Sequence, residues 1–183
     1  PVTHVSVDPG RHAVPISGTV LRGDPHGHRR FLPAEVYADF VERIAFVGAE
    51  STGKSTLAAR LGARFGTASV DEYGRTLWVE RGGALREEDL LTIARTHVRR
   101  EDAAAGSADR RLFIDTTPLT TAVYAALCHG RVDPELDALA NRRYDRLFLC
   151  LPDFSLVQDG TRADEDFRAA QHQRTLSELD RRG

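Results

Sequence analysis

An eight-residue segment, Gly48 to Ser55, constrains the fold of this chain more than any other feature. Its sequence, GAESTGKS, satisfies the pattern G-x-x-x-x-G-K-[ST] at every position. The apolar run 44–47 before it predicts a buried strand, and the spacing of apolar residues over 56–65 predicts a helix. A strand, a glycine-containing loop and a helix in this order are typical of a phosphate-binding loop.

Such a loop binds di- and triphosphates through its backbone N–H groups and the positive end of the helix dipole. We expect Lys54 to contact the outer phosphates and the Ser55 hydroxyl to hold Mg²⁺. Lys54 is the one lysine among the chain's 25 lysine and arginine residues. A compact ammonium and a planar guanidinium do not substitute freely in a tight loop, so this lysine is a strong sign of function. The predicted nucleotide-binding residues are Gly48, Ala49, Glu50, Ser51, Thr52, Gly53, Lys54, Ser55 and Thr56.

Composition and charge exclude several classes of protein. The chain has 183 residues, of which 41% are hydrophobic and 28% charged, as in a globular protein of about one domain. Its formal net charge of −2 gives no general attraction to nucleic acid or to an anionic membrane. No apolar run reaches the roughly 20 residues of a membrane span, no signal peptide is visible, and two cysteines suit a reducing compartment. We expect a cytoplasmic protein without nucleic-acid or membrane partners; its oligomeric state is left open.

Apolar segments at 44–47, 67–70, 112–114 and 147–151 predict strands, and predicted helices separate them. Continuous apolar strands between helices favour an α/β fold with a parallel sheet that is covered on both faces. Right-handed crossovers make this a doubly wound sheet of the P-loop NTPase type. Ligands of such sheets bind at the carboxyl ends of the strands, so functional side chains are expected directly after these four segments.

Acidic residues follow two of these strands. Asp115 ends the third strand and is predicted to hold Mg²⁺ together with Ser55; the alternative is a helix cap. Asp71 and Glu72 follow the second strand, where a carboxylate can orient an acceptor hydroxyl and take its proton. Arg75, one helical turn further on, can neutralise phosphate charge. The alternative for the acidic pair is a solvated turn.

Two aromatic residues and one arginine complete the predicted site. Tyr73 and Trp78 are close in sequence to Glu72, and a flat ring suits a planar base, although core packing is an alternative for Trp78. After the last strand, the turn signal Asp159-Gly160 precedes Arg162. An arginine there can close over the phosphates, as an alternative to a plain surface position.

These motifs together resemble the kinase domain of NadR-type bifunctional enzymes. The resemblance rests on residues 46–56, on Glu72-Tyr73-Gly74-Arg75, on 113–116 with 119–121, and on Asp159-Gly160-x-Arg162. It implies ATP- and Mg²⁺-dependent phosphorylation of the 5′-hydroxyl of nicotinamide riboside, which yields nicotinamide mononucleotide for NAD salvage. In this interpretation Lys54, Glu72 and Arg162 are catalytic, and the substrate-binding residues are Glu72, Tyr73, Arg75 and Trp78.

The amino-terminal part carries a second resemblance. Residues 14–22, VPISGTVLR, are similar to the I-S-x-T-x-x-R signature that closes a nucleotidylyltransferase domain. Its Ser, Thr and Arg contact ATP phosphates in that family, and they match Ser17, Thr19 and Arg22 here. Because the family's upstream H-x-G-H-type element is absent, no adenylyltransferase activity is expected. We therefore predict a remnant of that domain with a junction helix at 1–40, and a kinase domain that lacks its last strand at 41–183.

Two alternatives stay open at this point. One is a P-loop kinase for another nucleoside, a nucleotide or a coenzyme precursor. The other is a fragment that binds nucleotide without turning it over. A GTP-dependent switch is excluded, because the guanine-reading motif Asn-Lys-x-Asp needs a second lysine that the chain does not have.

Overall fold

The computed structural model describes residues 3, 5, 8–153, 155 and 164–183. The helices of the described residues are α1 Gly18–Gly23, α2 Ala34–Tyr37, α3 Lys54–Phe65, α4 Tyr73–Glu80, α5 Glu87–Ala105, α6 Pro118–His129, α7 Pro134–Leu139 and α8 Glu165–Arg182. The strands are β1 Glu42–Val47, β2 Ser69–Val70, β3 Arg111–Asp115 and β4 Arg146–Leu149. Two short 3₁₀ helices, Arg29–Phe31 and Ala38–Phe40, flank α2.

The four strands form one parallel sheet in the order β2-β3-β1-β4. In its register Phe46 pairs with both Asp115 and Phe148, so the carboxyl ends of the three longer strands lie at the same edge. The strands predicted at 44–47, 67–70, 112–114 and 147–151 are present, which confirms the α/β class with a parallel sheet. The loop after β1 therefore lies beside the end of β3, where Asp115 was expected.

Helices cover both faces of the sheet because alternate residues of β1 point to opposite sides. Ile44 and Phe46 pack with Ala58 of α3 on one face. On the other face Ala45 belongs to a cluster that includes Ala105 of α5 and Tyr37 of α2. This two-sided packing is what the continuous apolar character of β1 predicted.

The edge strand β4 is more exposed than its sequence suggested. Leu147 and Phe148 keep 40% and 49% of their surface exposed, and Leu151 keeps 52%. The prediction of a buried strand at 147–151 was wrong, because within the described residues β4 pairs with β1 alone. Phe148 still contacts the core by stacking on Phe46, with 5.8 Å between ring centroids.

The segment before β1 attaches to the end of α5. Arg29 donates hydrogen bonds to the carbonyl oxygens of Gly106 and Ala108, at 2.7 and 3.1 Å. Tyr37, 1% exposed, accepts the N–H of Arg110 at 3.3 Å. These carbonyls follow the last turn of α5, where a cation is favourable.

The residues that match the nucleotidylyltransferase signature lie at α1. The Ser17 hydroxyl oxygen accepts the N–H of Val20 at 3.2 Å and so acts as the N-cap of this helix. Thr19 and Arg22 are exposed. That Ser17, Thr19 and Arg22 correspond to residues that contact ATP phosphates in a nucleotidylyltransferase domain stays a prediction.

Candidate active site at the carboxyl edge of the sheet

The loop between β1 and α3 has a backbone that requires glycine at its first position. Gly48 has a φ of 139°, and a Cβ there would lie 2.4 Å from the carbonyl oxygen of Cys150. Gly53, with a φ of 82°, precedes the first residue of α3. Ser51, at a φ of 54°, adopts a left-handed conformation that costs a non-glycine residue energy. The loop thus turns sharply while the N-terminus of α3 faces the sheet edge.

Lys54 begins α3 and is only 8% exposed. Its Nζ donates to the carbonyl oxygen of Ala49 at 2.6 Å and to Thr52 Oγ1 at 3.4 Å. Burial lowers the pKa of Lys54, and the carboxylates of Glu72 and Asp115 oppose that shift. The ammonium is therefore held inside the loop, next to two acidic groups.

Asp115 ends β3 and is 2% exposed. Burial raises its pKa, while a hydrogen bond from the Ser55 hydroxyl and the charge of Lys54 act in the opposite direction. Its Oδ1 has no hydrogen-bond partner among the described residues. A buried carboxylate oxygen without a partner, beside a serine hydroxyl, fits the hard oxygen ligands that Mg²⁺ prefers. The described part of the chain contains no group of three or more His, Cys, Asp and Glu side chains arranged so that they alone could hold a metal ion.

Glu72 lies at the N-terminus of α4, after β2. Its side chain does not cap that helix. Burial and the neighbouring Asp115 raise the pKa of Glu72, whereas Lys54 and Arg75 lower it. Carboxylates whose pKa values are raised by burial in a cleft are typical of acid–base sites.

These residues share one cavity of about 820 Å³. The loop, Asp115 and Glu72 line it together with Arg75 and Trp78. Trp78 is half-buried, and it contacts the turn after α4, where a Cβ on Gly83 would lie 3.3 Å from its ring. Tyr73 is half-buried as well, and its ring packs against Arg100 of α5, with 4.4 Å between the guanidinium carbon and the ring centroid. The structure thus brings the predicted loop, acidic and aromatic residues together, whereas Arg162 lies outside the described residues.

The cavity-lining residues that sequence reasoning did not assign to the site include His97, Tyr124 and Gln171. These three come from α5, α6 and α8, whose positions next to the loop no local motif reveals. His97 is 3% exposed, and its ring donates a hydrogen bond to the backbone of Thr116. Thr116 has a φ of 66°, so this bond holds a strained residue directly after Asp115. A histidine on the apolar side of α5 was the available signal.

Comparison with known proteins places this geometry in a family. A sequence model of the family described as an AAA domain matches residues 43–183. The chain belongs to this family. The matched range contains β2, β3, β4 and all of β1 except Glu42, together with the phosphate-binding loop and the cavity described above.

Individual relatives are more specific. The chain is 37% identical over 164 residues to the trifunctional NAD biosynthesis/regulator protein NadR of Escherichia coli (strain K12), a match that covers 87% of this chain and 40% of that protein. The resemblance to NadR-type enzymes is thereby confirmed. The chain spans less than half the length of this relative, whose activities as a whole protein therefore do not transfer directly.

Solved structures agree in fold. A NadR protein in complex with NR has a TM-score of 0.79 and 24% identity, covering 94% of this chain and 52% of that chain. A NadR protein in complex with NAD and AMP-PNP has a TM-score of 0.72 and 22% identity, covering 93% and 50%. In the described part of this chain no helix has the length and apolar character to cross a membrane.

Proposed function

We propose that this chain is a kinase that transfers the γ-phosphoryl group of ATP to the 5′-hydroxyl of nicotinamide riboside. The observation that carries the proposal is the convergence of Lys54, Asp115 and Glu72 in one cavity, where Lys54 lowers the pKa of both carboxyl groups and Asp115 raises the pKa of Glu72. This arrangement suits phosphoryl transfer to an alcohol, because the ammonium stabilises phosphate charge and the carboxylate can orient the hydroxyl and accept its proton.

The reaction follows from these positions. Lys54 and the amides of residues 48–56 bind the β- and γ-phosphates. The 5′-oxygen of the acceptor forms a bond to the γ-phosphorus while the bond from that phosphorus to the bridging oxygen breaks, and ADP leaves. Glu72 orients the hydroxyl and takes its proton, and Arg75 balances the charge, together with Arg162. Mg²⁺, when bound, would be held by Ser55 and Asp115 and would neutralise phosphate charge.

Three observations support nicotinamide riboside as the acceptor. The relative with 37% identity is named for NAD biosynthesis. The structure of a NadR protein with NR has the same fold. Half-buried Trp78 and Tyr73 in the cavity wall offer flat apolar surfaces to a planar ring. The complex of a NadR protein with AMP-PNP, an ATP analogue, supports ATP as the donor.

The acceptor is tested by measuring ADP release with ATP, Mg²⁺ and either nicotinamide riboside or other nucleosides. We expect kcat/KM for nicotinamide riboside to be at least about tenfold higher than for adenosine or uridine, because one missing contact typically has that effect. Lys54→Ala serves as the control and should abolish turnover. A higher value for another nucleoside would contradict the acceptor, and tight ATP binding without turnover would indicate an inactive nucleotide-binding fragment.

We also propose the division of the chain at residues 40 and 41. Residues 1–40 would be the remnant of a nucleotidylyltransferase domain with its junction helix, and residues 41–183 the kinase domain. The similarity of 14–22 to the I-S-x-T-x-x-R signature supports this division. A cytoplasmic location is proposed from composition and cysteine content.

A further inference from the structure

The carboxyl-terminal helix α8 packs through polar side chains. Its buried residues are Arg168, Gln171, Thr175 and Glu178, and none of them is apolar. Their spacing of three or four residues places them along one face, which in most surface helices carries aliphatic side chains. Leu179 packs against the core and the Phe167 ring contacts Tyr124, but the most buried positions of α8 make hydrogen bonds and ion pairs, which depend on direction in a way that apolar packing does not.

Two of these residues hold the backbone of the phosphate-binding loop. The Gln171 Oε1 accepts the N–H of Glu50 at 2.8 Å. The Arg168 Nε donates to the carbonyl oxygen of Glu50 at 3.0 Å, and its Nη2 reaches the carbonyl oxygen of Ser51 at 3.4 Å. Both side chains are more than nine-tenths buried, with 3% exposure for Arg168 and 4% for Gln171. Helix α8 thus binds both polar backbone groups of Glu50 and the next carbonyl.

These contacts fall where the loop is strained. Ser51 adopts a φ of 54°, which persists only where surrounding contacts determine the backbone. Hydrogen bonds inside the loop already restrain Ala49, Thr52 and Lys54, because Lys54 Nζ and Thr52 Oγ1 both donate to the carbonyl oxygen of Ala49. Contacts from α8 supply the restraint on Glu50 and Ser51 from outside the loop.

We propose that Arg168 and Gln171 are positioning residues that set the loop backbone for binding nucleotide phosphates. Arg168 is not among the residues that line the cavity, so its effect on the phosphates passes through the loop. This inference rests on the proposed function only in taking ATP as the loop's ligand; it does not depend on the acceptor.

The test measures ATP binding by calorimetry, without acceptor, for Gln171→Met. Methionine keeps the length and shape of the side chain but loses the strong acceptor, which leaves the part-buried N–H of Glu50 without that partner. We expect the Kd for ATP to rise about tenfold. Gln173→Met is the matched control, because Gln173 lies on the exposed side of α8, and its Kd should equal that of the parent chain.

Two further variants separate positioning from simpler explanations. Arg168→Lys keeps the positive charge but cannot bridge two carbonyls as the guanidinium does, so it should also weaken ATP binding. Thr175→Val alters a buried residue of α8 whose hydroxyl donates to the carbonyl oxygen of Gln171 in the same helix, at 2.7 Å. It should leave the Kd unchanged, whereas an equal loss in Thr175→Val would mean that any weakening of α8 suffices and would overturn the inference.

Turnover data keep this inference apart from the proposed function. In the kinase reaction Gln171→Met should raise KM for ATP and leave KM for the acceptor unchanged. An unaltered Kd for ATP in Gln171→Met and Arg168→Lys would overturn the positioning role while the kinase assignment stands. Weakened ATP binding with no transfer to nicotinamide riboside would support the positioning role and contradict the acceptor. A parent chain that binds no ATP would overturn both.

Discussion

At the scale of single residues, Lys54, Glu72 and Asp115 lose hydration in the same cavity. Burial disfavours the charged form of each group, and the attraction between Lys54 and the two carboxylates offsets part of this effect. Each group is therefore sensitive to the removal of another, and neutralising one changes the protonation of its neighbours as well as its own role.

Glu72→Gln tests the proposed base. The pKa of Glu72 is raised above the ordinary value of 4.5. As the pH falls, Glu72 therefore becomes protonated, and can no longer accept a proton, at a higher pH than an ordinary glutamate. We expect kcat to fall by about 10²- to 10⁴-fold in Glu72→Gln, and the loss of rate at low pH that Glu72 causes to disappear. Glu88→Gln, an exposed carboxylate of α5, is the control and should retain the parent profile. A variant with the parent rate and pH profile would exclude Glu72 as the base.

At the scale of secondary-structure elements, α5 connects the cavity with a buried polar network. His97 contacts Thr116 near the site, and Glu101, one turn further on, is fully buried. Glu101 accepts hydrogen bonds from Arg142 at 2.8 Å and Tyr144 at 3.0 Å. Burial raises the pKa of Glu101 to about 7, although the guanidinium of Arg142 opposes the shift.

His97 makes the stability of the chain depend on pH. Its pKa in the folded state is lowered to about 4 by burial, with the positive charges of Arg100 and Arg142 acting in the same direction. The unfolded chain takes up this proton below about pH 6.5 and the folded chain only below about 4, so stability is lost as the pH falls between these values. Between about pH 6.5 and pH 4 the free energy of unfolding of the parent chain should fall by about 3 kcal/mol more than that of His97→Gln.

Urea unfolding at several pH values measures this difference. Glu101 contributes with the opposite sign, because its raised pKa favours the folded state at low pH and the benefit is lost as the pH rises from 4.5 to about 7. Both chains keep Glu101, but its Oε1 lies 3.4 Å from His97 Nε2, so the comparison with His97→Gln measures the effect of these two coupled groups together. Parallel stability curves for the two chains would show that His97 is not held neutral in the fold.

The sequence predicted those elements that are determined by residues close together in the chain. The loop at 48–55 and the strands β1 and β3 were predictable, because their glycines and apolar runs act within a few residues. The exposure of β4 was not, because its apolar run reads the same at an edge as in the centre of a sheet. The roles of Gln171 and Arg168 were hidden for a similar reason: they contact a loop more than a hundred residues earlier in the chain.

At the scale of the whole molecule, β4 is an edge strand of the described sheet, and its Leu147 and Phe148 are exposed. Apolar side chains on an edge strand favour contact between molecules. Replacing Leu147 with lysine should reduce concentration-dependent association and change the free energy of unfolding by no more than about 1 kcal/mol, because the side chain is 40% exposed.

Sedimentation velocity over a range of concentrations checks this prediction. Val36→Lys is the matched control, because Val36 of α2 is 44% exposed and lies away from β4 in sequence and contacts. A reduction in both variants would reflect added charge alone, and no reduction in Leu147→Lys would remove β4 as the contact surface.

Amine-reactive reagents can modify very few positions on this chain, because it contains a single lysine. Apart from the α-amino group at the start of the sequence given, Lys54 is the one primary-amine side chain, and its lowered pKa increases the fraction of neutral, nucleophilic amine. The burial of Lys54 limits how fast an acylating reagent can reach it, and bound ATP would block the reaction. Mass spectrometry of a single peptide would then report occupancy of the nucleotide site without any engineered probe.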